Sequence, residues 1–159
     1  MDGAMSRTGD RGAVSIEVAV LAPAFIALIV LAGVAGRTAV AAEAVDAAAH
    51  DAARAASISR NASTARAEAH DAARQQLEWK GLNCTGTPQL TFGGSVAGRP
   101  ASFDDAFGSP VGQEAAVTVR IECTVSYQDM KLSVLPGMTL QNEVSASFTS
   151  PLDRYRSRG

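Results

Sequence analysis

Glu17 is the residue of this chain whose position most needs a chemical reason: it is the lone carboxylate at the head of an otherwise uncharged apolar run, Val18 to Gly36. A charge at the centre of a membrane helix costs about 2.5 to 3.5 kcal/mol on insertion scales and less near one end, so an ionisable group placed there points to a function. The chemistry open to such a carboxylate is pairing, because a cation brought against it offsets the cost of holding both charges in lipid. The run itself has 19 residues, which span about 28 Å as a helix, roughly one hydrocarbon core. It can cross a bilayer once.

Other reactive side chains are sparse. Both histidines sit in the same pentapeptide, His50-Asp51-Ala52-Ala53-Arg54 and His70-Asp71-Ala72-Ala73-Arg74, 20 positions apart. On one straight helix they would be separated by about 160° and about 30 Å, too far to share a metal ion, so a solvated helix face accounts for them better. Cys84 and Cys123 are the only cysteines. A disulfide is the economical reading and would stabilise by roughly 4 kcal/mol in the chain-entropy account; two buried thiols or a redox pair are the alternatives, the latter without a Cys-x-x-Cys spacing to support it. There is no Gly-x-Ser-x-Gly elbow, no P-loop and no histidine in the distal part, after Gly81, to serve a serine or cysteine nucleophile. The expectation is a protein that is not an enzyme and uses no cofactor and no metal. A formal charge of -2 without a basic cluster argues against nucleic acid.

Three readings compete for the amino terminus. Arg7 and Arg11 make a positive region ahead of the apolar run, and Ala39-Val40-Ala41 offers the small residues a signal peptidase accepts. Against that reading, the run exceeds the usual apolar length of a signal and Glu17 interrupts its entrance. A plain membrane anchor is the second reading. In the third, a prepilin-type peptidase cuts between Gly12 and Ala13; residues 1–12 become a short polar leader, and Glu17 falls on the first turns of the mature helix. This third reading uses every residue named, since Glu17 could then pair with the Ala13 amine of a neighbouring subunit.

These residues need elements to hold them. The arginines before the run, against Arg37, Glu43 and Asp46 after it, favour a single pass with the amino terminus in the cytoplasm and the bulk of the protein outside the cytoplasmic membrane. Pro23, inside the run, lacks an N–H and should kink or loosen the helix. Beyond Arg37 the chain is alanine-rich with no Pro or Gly until Gly81, which predicts a long stalk helix over 37–80. Glu43, Asp46, His50 and Arg54 form its polar stripe and Val45, Ala48, Ala52 and Ala55 a seam of small side chains, which a partner or the chain's own distal part must cover. Residues 56–64, rich in Ser, Thr and Asn, are a plausible hinge or helix restart. After Gly81 turn formers abound. Ala115 to Tyr127 alternates as a strand, Val144, Ala146 and Phe148 repeat the pattern after a turn at Pro136-Gly137, and Leu90 with Phe92 suggests a third strand. The glycines of Phe92 to Gly98 read as a mobile loop, and Leu77 and Trp79 as the end of the stalk packed under the sheet.

The stretch Arg11-Gly12-Ala13-Val14-Ser15-Ile16-Glu17-Val18-Ala19-Val20-Leu21-Ala22-Pro23 resembles the TadE-like minor pilins and assembly proteins of the tight-adherence, Flp-type IVb pilus system, especially short members of actinobacterial type. The alanine-rich helix Val45 to Ala56 is similar to that family as well, and the tail Pro151 to Arg156 weakly so. Val18 stands where major pilins of the system carry tyrosine, which points away from a major fibre subunit. The resemblance implies cleavage after Gly12 by a prepilin peptidase, partnership with other pilins and pilus-assembly membrane proteins, and a role in assembly or surface adherence. The fold expected is α+β, a pilin-like lollipop: leader 1–12, transmembrane helix 13–36, extracytoplasmic helix 37–80, and a small antiparallel β-rich domain 81–159. The competing function is a Sec-exported or membrane-anchored extracytoplasmic binding domain with no pilus role.

Overall fold

The computed structural model describes residues 10–126, 141–155 and 157. Arg7, Tyr127, the Pro136-Gly137 turn and Arg156 lie outside them. Contacts divide the chain into two compact units, Met1–Arg37 and Thr38–Gly159. The layout is α+β, with helix first and sheet after.

Helix α1, Asp10–Ile58, is continuous through Pro23. It ends where the sequence concentrates side chains that compete for backbone hydrogen bonds: Ser57 Oγ donates to the Arg54 carbonyl at 2.9 Å and Ser59 Oγ to that of Ala55 at 3.2 Å. Helix α2, Ala62–Trp79, restarts after three residues, its N-cap Asn61 accepting from the Thr64 N–H at 2.8 Å. Residues 37–80 therefore do not form one rod. In the second unit α2 runs back antiparallel to the end of α1, so that Lys80 Nζ meets Glu43 Oε1 at 3.4 Å.

Four strands follow. Strands β1 (Gln89–Val96), β2 (Arg99–Ala101), β3 (Ala115–Ser126) and β4 (Gln141–Pro151) form an antiparallel sheet in the order β2-β1-β3-β4. The alternation read from the sequence sets its faces: Ala115, Val117, Val119, Ile121, Cys123 and Val125 are all buried. Register aligns Phe92, Val119 and Phe148 in one row and Leu90, Ile121 and Ala146 in the next. The helices supply the other half of the core, with Ala41, Val45, Ala48, Ala49, Ala52, Ala53 and Ala56 from α1 and Ala65, Ala69, Ala73 and Leu77 from α2 in the same buried cluster. Alanines let helix backbones approach the sheet closely but bury little area each, so the branched side chains of β3 carry most of the apolar burial.

The structure decides one open alternative and changes several expectations. The small-residue seam is covered by the chain's own sheet, and it is wider and rotated from the one read off the sequence: Ala49, Ala53 and Ala56 are buried while Ala55 is only half-buried. Leu77 packs in the core, but Trp79 stands 84% exposed. Phe92 to Val96 is not a loop. It pairs with Val119 to Ala115 and turns at Ala97 and Gly98, both at positive φ (51° and 74°), into β2. That two-residue turn with positive φ at both positions matches the sheet's twist, which the glycine-rich spelling had hidden.

The short helix α3, Phe103–Phe107, was not anticipated. Ser102 and Asp105 form a reciprocal capping box at its start, and Phe103, Ala106 and Phe107 are buried. Its placement explains Gly94: a Cβ there would lie 2.7 Å from the Ser102 carbonyl oxygen and 2.8 Å from Ala106 Cβ. Because one of those neighbours is backbone, Gly94→Ala is expected to destabilise by about 1 to 3 kcal/mol, measured by denaturant unfolding. A variant as stable as the parent would mean that α3 does not sit on β1.

The tail is tied down. Leu152 is buried and donates its N–H to the Ala115 carbonyl at 2.9 Å, and the Gly112 N–H donates to the Arg154 carbonyl at 2.7 Å. Cys84 and Cys123 are joined by a disulfide, with Cα atoms 5.4 Å apart. The bridge fixes the α2–β1 connection to β3, where the Thr85 N–H also donates to the Thr124 carbonyl at 2.6 Å.

Candidate functional site

The strongest candidate is the first unit's helical segment. Backbone around Gly12 and Ala13 is helical, α1 having begun at Asp10. From Glu17 onward every apolar side chain of the run is exposed or half-exposed, Val20 and Ile29 at 71% and Phe25 at 59% among them. None of that window is buried, and the helix is long and apolar enough to cross a membrane. Nothing in the unit's own packing requires such a surface, whereas lipid or neighbouring apolar helices would cover it. Glu17 is exposed at its head and, by helical spacing, shares a face with Leu21, Ala24 and Leu28. Six residues further on, Pro23 leaves the Ala19 carbonyl without its usual helical donor.

In the second unit the histidine pentapeptides find an explanation the sequence reading lacked. His50 packs edge-on against Phe148 with ring centroids 4.5 Å apart, and His70 against Phe92 at 5.6 Å. Both phenylalanines flank Val119 in the register. Each copy therefore does one job: its buried alanines face the core and its histidine covers the phenylalanine of a strand flanking β3. Among the described residues no group of three or more His, Cys, Asp or Glu could hold a metal ion. A shallow cleft lies beside Asp51, Ala72, Gln75, Gln76 and Trp79. The outer face of the sheet is hydroxyl-rich and internally paired: Thr118 and Thr149 hydroxyls meet at 2.7 Å, and Arg120 reaches Glu122 at 2.9 Å and Ser145 at 3.2 Å.

A cluster that only the tertiary structure assembles is Arg66 with Asp104. The guanidinium grips the carboxylate through both nitrogens, one at 3.1 Å, while its carbon lies 4.8 Å from the Phe103 ring centroid. The Arg66 hydrogen bond holds the Asp104 carboxyl below its ordinary value. A depressed folded-state value means a contribution present above the unfolded aspartate range and lost as pH falls through the folded value. Arg66→Ala should therefore move the Asp104 titration midpoint upward in carboxyl-detected NMR, and should destabilise the protein more at neutral pH than in acid. An unmoved midpoint would remove Arg66 as the cause.

A family model described as TadE-like protein matches residues 12–54. The match opens on Gly12, takes in Glu17, Pro23 and the first histidine pentapeptide, and ends within α1. No curated protein matches the chain, and no solved structure does.

Proposed function

We propose, from the premise that this chain is TadE-like over residues 12–54, that it is a minor pilin or pseudopilin-type subunit serving assembly of a thin type IVb pilus and surface adherence. The observation that carries this reading is the exposed, charge-free helical surface with Glu17 alone at its head, lying inside the segment that matches the family. A prepilin peptidase would cut between Gly12 and Ala13. The cut creates a cation, the Ala13 amine, and gives Glu17 of a neighbouring subunit something to pair with where water is scarce. The chain would sit in the cytoplasmic membrane with its second unit outside, an orientation that agrees with the arginines before the run and with a disulfide in an oxidising compartment. Its partners would be other pilins and the membrane proteins of pilus assembly.

Mass spectrometry of the terminal peptide from native membranes tests this directly. A start at Ala13 supports prepilin processing. A start near Ala42 means a signal peptide and an exported domain, and an intact Met1 means a plain anchor; either of these overturns the pilin reading.

A further inference from the structure

Trp79 is the chain's single tryptophan, and its position is unexpected for a large aromatic side chain. Phe103 and Phe107 are buried in the same unit, yet Trp79 is 84% exposed at the last residue of α2. The antiparallel hairpin brings this end of α2 to the place where the chain enters the second unit, as the Lys80–Glu43 contact at 3.4 Å records. Glu43 follows Gly36, the last residue of the charge-free run, by seven residues, a tether of no more than about 24 Å. That length of chain lets the end of α2 reach the surface at which the run leaves lipid. Its ring is apolar with one N–H donor, the combination that settles at the boundary between headgroups and acyl chains.

We propose that Trp79 is a second membrane contact of this protein, its indole lodged among the lipid headgroups on the extracytoplasmic side. The inference rests on the reading of the run as a membrane anchor. Charge decides which lipid surface fits: the charged residue in the cleft that Trp79 lines with Ala72, Gln75 and Gln76 is Asp51, Glu78 precedes Trp79 in the chain, and Lys80 is engaged by Glu43. Anionic lipid has little to attract it there, so the contact is with a zwitterionic headgroup layer through the ring itself. Docked this way, the second unit would be held against the membrane at one end, with the sheet's hydroxyl-rich outer face left free.

Because no other tryptophan is present, intrinsic fluorescence of the full chain reports this site alone. The chain would be reconstituted in phosphatidylcholine vesicles containing lipid brominated either high on the acyl chain or near its end. The expected result is strong quenching by the shallow bromines, weak quenching by the deep ones, and aqueous iodide quenching reduced several-fold relative to a free tryptophan amide. Iodide quenching like that of the free amide, with no effect of bromolipid, overturns the proposal. So does protection from both quenchers, which would place the indole against a second copy, and so does quenching by deep bromines alone. Flotation of the vesicles with alkaline extraction runs in parallel. An anchored chain with a water-exposed indole refutes the headgroup contact and leaves the anchor standing; a chain that does not float refutes both.

Discussion

Glu17→Ala is expected to leave leader cleavage close to normal and to abolish incorporation into pili. The proposed scissile bond, between Gly12 and Ala13, precedes Glu17 in the chain with four residues between, so a peptidase reading the leader would still have its substrate. Assembly differs because, on the proposed function, it would put the Ala13 amine into an apolar surrounding. Removing one partner of a pair held in such a setting costs about 3 to 5 kcal/mol, since the remaining charge is left without compensation. That is roughly a hundredfold to a few thousandfold in incorporation. Glu17→Gln keeps the size and a hydrogen-bonding group but not the charge, and should fall nearer to alanine than to the parent. The measurement is the amount of the subunit in sheared pili beside the mass of its mature terminus. Normal incorporation of a correctly cut Glu17→Ala variant would sink the pairing role, while failure to be cut would show that Glu17 belongs to peptidase recognition instead.

Breaking the Cys84–Cys123 bridge should have the largest effect on stability. The cysteines are 39 positions apart, and closing a loop of that length in the unfolded chain is worth about 4 kcal/mol in the entropic account. The second unit, residues 38–159, has reason to need it, because its helices contribute mainly alanines to the core and alanine gives little burial energy. Cys84→Ala with Cys123→Ala is therefore expected to lower the thermal midpoint by roughly 10 to 20 °C, followed by circular dichroism of the full chain in detergent. Reduction of the parent should reproduce most of that shift. A loss smaller than about 1 kcal/mol would mean that the backbone bridge of Cys84 to Val125 and the Thr85–Thr124 hydrogen bond already hold the connection in place.

How much was legible beforehand depends on how local each cause is. Strand β3 could be read directly because alternation of apolar and polar residues is a property of neighbours: Val117, Val119, Ile121 and Cys123 are buried as the pattern implies. The break after Ile58 was legible for the same reason, since Ser57, Ser59 and Asn61 act on backbone within four residues. Strand β1 is legible at Leu90 and Phe92 but not in its second half, because Gly93 and Gly94 look like loop residues, when Gly94 is small to admit α3, a constraint set by residues eight and twelve positions away. Arg66 with Asp104, and the two histidines with their phenylalanines, left no pattern to find, being a contact across 38 positions in the first case and contacts between helix and sheet in the second.

The sequence by itself determined the membrane-length run, the lone carboxylate at its head, the helix-then-sheet order and the candidate cysteine pair, because length, charge and period are written along the chain. Only the tertiary structure decided that the alanine-rich stretch folds back as a hairpin, that its small seam is spent on the protein's own sheet, and that Trp79 is left outside. The physical reason is that an alanine face can pack against a partner helix or a sheet equally well, and which one covers it is settled by the shape and burial of side chains far away in sequence.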